Sequence, residues 1–228
     1  MISDLSDDRV LCRQYHLGGD RNFCYLFADR ATGAAAACDP GFRPAELHRL
    51  ATALGLRITR ILVTHGHGDH VGGLAELVAL TGATVHAGAA DDVPGAEPLA
   101  DGQELSLGDL AVRALATPGH SPGHYCFLCA GRLVTGDILF CGKVGGTGPY
   151  FRGSSAEQEY ASLQKLLQLP DETIVLPGHD YYGGDGARPH STIGHERRHN
   201  PFLTAEGFGG FVHLKDNWAA YKQEHGIR

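Results

Sequence analysis

The sequence predicts an α/β protein in which helices pack on the outside of a pair of β-sheets. β-like and helical segments alternate along the chain, and the alternation occurs in two successive halves. With 228 residues, of which 43% are hydrophobic, the chain is long enough for one sizeable domain. We therefore expect a single domain over residues 1–228, with a short helical C-terminal tail from about residue 181.

The first half begins with three predicted strands, over residues 10–15, 22–27 and 34–38, and a turn at Gly18-Gly19-Asp20 joins the first two. Pro44 opens a predicted helix that runs to about Leu54, because leucines recur there at helical spacing. The next predicted elements are a strand over 58–63, a helix over 71–80 and a strand over 84–87. Residues 88–102 are rich in Asp, Pro and Gly, which predicts a surface loop.

The second half contains predicted strands over residues 103–106, 110–117, 124–129 and 132–135. A glycine-rich loop over 141–153 is followed by a predicted helix over 154–168, with Ser154 and Glu157 as a capping box. A strand over 173–176 precedes the tail, where helices are predicted at about 192–199 and 216–225.

The strongest functional motif follows the predicted strand over residues 58–63. Four side chains that can bind a metal lie within six residues, namely His65, His67, Asp69 and His70. A β-strand that ends in such a loop brings several donors to one point. Imidazole nitrogens and carboxylate oxygens suit zinc, iron and manganese. The motif therefore indicates a metalloenzyme.

Three further ligand candidates follow other predicted strands. His120 lies in a Pro- and Gly-rich turn, Asp137 directly follows the strand over 132–135, and His179 follows the strand over 173–176. Because α/β enzymes usually place their chemistry where strand ends converge, we expect these loops to form one site.

Together these motifs resemble those of the metallo-β-lactamase superfamily, and the resemblance implies a four-layer αββα sandwich. It implies one metal ion held by His65, His67 and His120, a second held by Asp69, His70 and His179, and Asp137 as a bridge. Asp69 and Asp137 are the implied catalytic residues. The expected cofactors are two divalent metal ions, with zinc as the first choice and iron or manganese as alternatives.

Within this superfamily, the sequence most resembles hydroxyacylglutathione hydrolases of the glyoxalase II type and the related persulfide dioxygenases. Cys141-Gly142-Lys143 resembles a glutathione-contacting segment, and Tyr181 matches a tyrosine at the substrate. The resemblance thus implies that Lys143 and Tyr181 bind a small, thiol-derived substrate. Gly145 departs from glyoxalase II, which has an aromatic residue there, and the tail is shorter than the helical domain of that family.

Three hypotheses follow for the function. The first is hydrolysis of a glutathione-type thioester by a metal-bound hydroxide, since the leaving thiol has a pKa of about 8.5 and departs without a strong general acid. The alternative is an iron-dependent persulfide dioxygenase that acts on glutathione persulfide. A metal-stabilised binding scaffold without activity is the third, although no residue of the ligand set is missing.

Charge and composition exclude several other classes. A formal net charge of −7 argues against nucleic acid or an anionic membrane as a partner. No apolar run approaches the roughly 20 residues of a membrane helix, and the acidic start lacks the features of a signal peptide. We therefore expect a cytoplasmic protein whose six cysteines are reduced thiols. The sequence leaves its oligomeric state open.

Some residues near the motifs are open to two interpretations. His124 is assigned to an ordinary strand position, with support of the ligand site as the alternative. Asp39 either forms a turn or orients a ligand histidine. His190, His195 and His199 are expected on the surface or in helix packing.

Overall fold

The computed structural model of the chain describes residues 1–19, 21–181 and 189–227. The strands within these ranges are β1 (Ser3–Asp4), β2 (Val10–Tyr15), β3 (Cys24–Asp29), β4 (Ala34–Cys38), β5 (Arg57–Leu62), β6 (Thr84–Ala87), β7 (Glu97–Pro98), β8 (Glu104–Leu107), β9 (Leu110–Ala116), β10 (Tyr125–Cys129), β11 (Arg132–Gly136), β12 (Leu139–Phe140), β13 (Lys143–Val144), β14 (Ile174–Pro177) and β15 (Ser191–Thr192). The helices are α1 (Pro44–Ala53), α2 (Gly68–Val71), α3 (Leu74–Thr81), α4 (Ala156–Leu166), α5 (Ile193–His199), α6 (Pro201–Thr204), α7 (Gly207–Asp216) and α8 (Trp218–Glu224). Asp20 of the predicted turn and residues 182–188 of the predicted tail lie outside the described residues.

Two large mixed sheets form the centre of the fold. The first has the strand order β1-β2-β3-β4-β5-β6-β7, and its pairing changes from antiparallel to parallel between β4 and β5. The second has the order β15-β14-β11-β10-β9-β8, in which β11 and β14 are parallel. A two-stranded ribbon of β12 and β13 lies beside them.

Successive side chains along a strand point to opposite faces of the sheet and so belong to different buried clusters. In β3, Tyr25 and Phe27 belong to the core between the two sheets, whereas Leu26 belongs to the core under α1 and α3. A third buried cluster joins the second sheet to α4 and to the C-terminal helices, through residues such as Leu163 and Phe211. These clusters give the order helix, sheet, sheet, helix, and the predicted four-layer sandwich is confirmed.

Three local predictions differ from the structure. The helix predicted over 71–80 begins at Leu74 as α3, while Val71 ends the preceding α2, and Gly73 is the N-cap of α3. A Cβ on Gly73 would be 2.2 Å from the Pro40 carbonyl oxygen, so only glycine fits there. The N-cap of α4 is Ser155 rather than Ser154, and its hydroxyl accepts the backbone N–H of Gln158. The helix α7 was not predicted, since its first four residues include three glycines.

A buried ion pair fastens α7 to the rest of the fold. Glu159 of α4 is fully buried, and Lys215 of α7 is 11% exposed. The Lys215 ammonium donates to the Glu159 carboxylate and, at 2.8 Å, to the carbonyl oxygen of Gly145. Burial raises the pKa of Glu159 to about 7, although Lys215 acts in the opposite direction. The pair therefore ties a C-terminal helix to the glycine-rich loop.

The six cysteines are buried, and none of them forms a disulfide with another cysteine of the described residues. Within the described part of the chain, no helix combines the length and apolarity required to cross a membrane.

The fold brings the ligand-bearing strand ends together. Because β11 and β14 are parallel and Gly136 pairs with Pro177, the residues that follow each strand leave the same edge of the sheet. An isolated bridge joins Asn22 of the first half to His179 of the second, and the Phe23 N–H donates to the Gly178 carbonyl at 2.8 Å. The two sheets thus meet at this edge.

Candidate metal centre

Four loops at the common edge place seven donor side chains within reach of one another. The donor atoms of His65, His67 and His120 form one group, and those of Asp69, His70 and His179 form another, with all atoms in each group within 4.8 Å. The sequence-predicted ligands are therefore brought together in the two predicted sets.

Asp137 lies between the two groups. Its Oδ1 is 3.5 Å from the Nε2 atom of His70, and its Oδ2 is 3.7 Å from Nε2 of His120 and 3.3 Å from Nε2 of His179. A carboxylate at this position is close to both groups at once.

The donor atoms fit bound cations. Nε2 of His65 and Oδ1 of Asp137 are buried and lack a hydrogen-bond partner among the described residues. The ring nitrogens Nδ1 of His67 and Nε2 of His120 face each other at 3.1 Å. Buried acceptors without a donor are costly, whereas a cation between them would satisfy several at once.

The sequence profile of the metallo-beta-lactamase superfamily matches residues 17–179, which is more than half of the chain. The chain belongs to the metallo-beta-lactamase superfamily. The predicted resemblance is therefore confirmed.

The chain is also similar to individual proteins of known name. It is 45% identical over 169 residues to the hydroxyacylglutathione hydrolase of Methylococcus capsulatus, an alignment that covers 70% of the chain and 62% of the relative. The chain thus spans less than two thirds of that relative. It is 30% identical over 202 residues to the probable polyketide biosynthesis zinc-dependent hydrolase BaeB of Bacillus velezensis, covering 86% of the chain and 87% of the relative. The crystal structure of ETHE1 from Myxococcus xanthus has a TM-score of 0.82 and 34% identity, and covers 91% of the chain and 90% of ETHE1.

Asp39 orients His70, one of the candidate ligands. Its Oδ2 atom lies 3.0 Å from Nδ1 of His70 and accepts the hydroxyl of Thr64 at 2.7 Å, while its Oδ1 accepts the Thr64 N–H at 2.8 Å. Nε2 of His70 is thereby left to point at the candidate metal centre. The structure agrees with both interpretations of Asp39, because its φ of 52° and the hydrogen bond from the Gly41 N–H to its carbonyl oxygen also place it in a turn.

His124 also supports the candidate metal centre, a role that the sequence analysis gave only as the alternative to an ordinary strand position. It is buried, and its ring stacks on His65 with centroids 5.4 Å apart. Nε2 of His124 accepts the backbone N–H of Asp137 at 3.3 Å, and Nδ1 lies 2.9 Å from the Thr117 hydroxyl. The signal in the sequence was its position only four residues after His120.

The electrostatics of the site favour the metal-binding form of His65, Asp69 and Asp137. His70 differs: burial lowers its pKa, but Asp137 and Asp39 outweigh burial and raise it. Burial lowers the pKa of His65 well below its ordinary value, and the neighbouring His70 acts in the same direction. Burial alone would raise the pKa of Asp137, but His70 and His179 hold it well below its usual range. The hydrogen bond from His179 likewise keeps the pKa of Asp69 low. His65 is therefore neutral and both carboxylates are ionised at neutral pH.

Lys143 and Tyr181, the two predicted substrate residues, lie together beside the candidate ligands. The Lys143 ammonium is 4.1 Å from the centroid of the Tyr181 ring, and that ring is 5.4 Å from the ring of His179. Burial lowers the pKa of Lys143, and Lys222 acts in the same direction. The aromatic residue of glyoxalase II has no room at Gly145 here, because a Cβ would lie 2.1 Å from the Asp137 carbonyl oxygen.

The sequence analysis did not identify Phe151, an aromatic residue that contacts the candidate metal centre. Phe151, on the glycine-rich loop, has its ring centroid 4.9 Å from that of His120 and 6.0 Å from that of His67. Only its place in that loop could have indicated this role. His195 and His199, predicted as bystanders, contact each other with ring centroids 4.6 Å apart and belong to neither donor group.

Proposed function

We propose that this chain is a metal-dependent hydrolase of a glutathione-type thioester. The observation that carries the proposal is the pair of donor groups joined by Asp137, with Lys143 and Tyr181 beside them. The 45% identity to a hydroxyacylglutathione hydrolase supports the substrate class.

The proposed ligands divide into two sets that share Asp137. His65, His67 and His120 would hold one ion, and Asp69, His70 and His179 would hold the other. When bound, divalent metal ions lower the pKa of a coordinated water to about 7 and polarise a carbonyl oxygen. Zinc is the first choice, since these nitrogen and oxygen donors suit it and since one relative is named a zinc-dependent hydrolase.

The protein's own groups would orient the reactants. Asp69 is 39% exposed, and its Oδ2 accepts an N–H of Asn22 at 2.9 Å, so Asn22 would hold this carboxylate in place within the second ligand set. Phe151 shields the first donor group from solvent on one side. No residue need protonate the leaving group, because a thiol of pKa about 8.5 leaves as the thiolate.

The glutathione portion would extend towards Lys143. A cleft of about 200 Å³ is lined there by Lys143, Gly145, Lys215 and Trp218, among others. Glutathione carries carboxylates, and Lys143 is the partly buried cation in this cleft that lacks a carboxylate partner among the contacts described. Asp216 also lines this cleft and Lys215 is paired with Glu159, so the proposal assigns the substrate carboxylate to Lys143.

The decisive assay for this function compares two substrates under controlled oxygen. With a hydroxyacylglutathione under strictly anaerobic conditions, we expect loss of the thioester and release of free thiol, because attack by water consumes no oxygen. Elemental analysis of the same preparation should find zinc. In a parallel oxygen-electrode experiment, glutathione persulfide should cause no oxygen uptake.

The rival function requires the opposite results. A persulfide dioxygenase would use the same donor residues for iron, and it would consume oxygen with glutathione persulfide while leaving the thioester intact. Rapid oxygen uptake, iron in the protein and a silent anaerobic assay would replace the hydrolase by the dioxygenase.

Replacing Lys143 with alanine should raise KM more than it lowers kcat. A charge-assisted contact in a partly buried site is worth roughly 1.5–3 kcal/mol, so we expect KM to rise by about ten- to a hundredfold. Steady-state kinetics with the thioester measures both constants. Lys165→Ala is the matched control, because Lys165 is 39% exposed and pairs with Asp101 outside the site. An unchanged KM in Lys143→Ala would show that another group holds the substrate.

A further inference from the structure

A carboxylate outside the ligand set connects the two loops that carry the three-histidine group. Asp91 ends a short 3₁₀ turn, Ala89–Asp91, inside the stretch that the sequence predicted as a surface loop. Its Oδ2 accepts the backbone N–H of Gly66 at 2.9 Å and the hydroxyl of Ser121 at 2.7 Å. Its Oδ1 accepts the backbone N–H of Gly123 at 2.7 Å.

The groups that donate hydrogen bonds to Asp91 are sequence neighbours of the three histidines. Gly66 lies between His65 and His67, and Ser121 is next to His120. Asp91 is the acceptor common to both loops, and it belongs to neither donor group. It therefore acts on the loops and not on the metal itself.

Two glycines of the ligand motifs are explained by the approach of Asp91. A Cβ on Gly66 would lie 2.9 Å from the Asp91 carbonyl oxygen, and a Cβ on Gly123 would lie 2.7 Å from the Asp91 carboxylate carbon. Any larger residue at either position would push the carboxylate away from its donors. The glycines of the two motifs and Asp91 are thus parts of one packing arrangement.

We infer that Asp91 is a positioning residue that sets the affinity of the three-histidine group for its metal ion. By binding both loops, it holds Nδ1 of His67 and Nε2 of His120 at their separation of 3.1 Å. The inference rests on the proposed metal-dependent function. Replacing a partner that orients metal ligands typically costs ten- to a hundredfold in metal affinity.

Asparagine tests the need for a carboxylate. Asp91→Asn preserves the shape, but its single amide oxygen cannot accept from both sides, and its NH₂ group would face a donor. Asp92 supplies the matched control, because it is the adjacent acidic residue and is exposed. Ser121→Ala removes one of the three hydrogen bonds and leaves the carboxylate in place.

The experiment is a titration of the metal-free protein with zinc, and separately with cobalt, against a competing chelator. In Asp91→Asn we expect one metal equivalent to bind about ten- to a hundredfold more weakly, the other to bind as in the wild type, and the cobalt absorption spectrum to change. Excess zinc should restore turnover. Asp92→Asn should match the wild type, and Ser121→Ala should show a smaller loss in the same equivalent.

Two results would overturn the inference. One is wild-type affinity for both equivalents in a folded Asp91→Asn protein. The other is equal weakening of both equivalents, which a general loss of stability would produce. If Asp91→Asn does not fold, Ser121→Ala decides the question by the same criteria. Because the titration uses no substrate, selective weakening in a protein that does not cleave thioesters would uphold this inference and reject only the proposed function.

Discussion

The Asp137→Ala protein is expected to lose at least one metal equivalent and to retain less than about one hundredth of the wild-type turnover. Loss of a residue that merely orients a ligand already costs ten- to a hundredfold. Asp137 lies within 3.7 Å of ring nitrogens from both donor groups, so its loss would affect both ions together. It would also remove the buried negative charge that balances them.

Elemental analysis after gel filtration, combined with the anaerobic thioester assay, measures both effects. Asp137→Asn gives a second variant of nearly the same volume, and it should also be impaired because the charge is lost. His225→Ala is the control, since His225 is exposed and stacks on Tyr221 at the end of α8. Full metal content with normal turnover in Asp137→Ala would refute the bridging role.

The Lys215→Met substitution should lower the free energy of unfolding by about 3–5 kcal/mol, because it leaves the Glu159 carboxylate buried without a partner. The loss should depend on pH. Since the pKa of Glu159 in the folded protein is about 7, against an ordinary value of 4.5, the folded state binds the proton more strongly than the unfolded state. Stability from this group is therefore present below about pH 4.5 and falls as pH rises towards 7. Without Lys215 the pKa should rise further, so the damage should be greater at pH 8 than at pH 5.5.

Urea unfolding at the two pH values measures this loss. The double variant Glu159→Leu/Lys215→Met should recover most of the stability, since a buried ion pair can be replaced by apolar residues at little cost. Lys165→Met should cost no more than about 1 kcal/mol, because its ion pair with Asp101 is exposed. A Lys215→Met protein as stable as Lys165→Met would show that the pair contributes little.

The clustering of the candidate donors could be predicted from sequence, because each donor belongs to a short motif that follows a strand. Strand ends of a sheet converge by the rules of the fold, so local patterns were enough to place His65, His120, Asp137 and His179 at one edge. The four-layer arrangement followed from the same alternation of strands and helices.

The supporting residues could not be predicted in the same way, because their roles arise from contacts between distant segments. Asp91 lies 25 residues from Gly66 and 32 from Gly123, and nothing local marks it as different from Asp92. The residues of α7 have a low helical propensity. The helix forms nevertheless, because burial of Phe211 and the contact of Lys215 with Glu159 stabilise it. Tertiary packing decides both cases.

The division of the donors between the two sheets has a thermodynamic consequence. Each donor group takes residues from both halves of the chain: His120 joins His65 and His67, and His179 joins Asp69 and His70. An ion held in this way binds tightly only when both halves are folded and in contact, so it acts as a non-covalent cross-link between them. At a free metal concentration one hundred times the Kd, binding at one site adds about 2.7 kcal/mol to the free energy of unfolding. The resistance of this fold to unfolding would thus vary with the supply of metal in its surroundings.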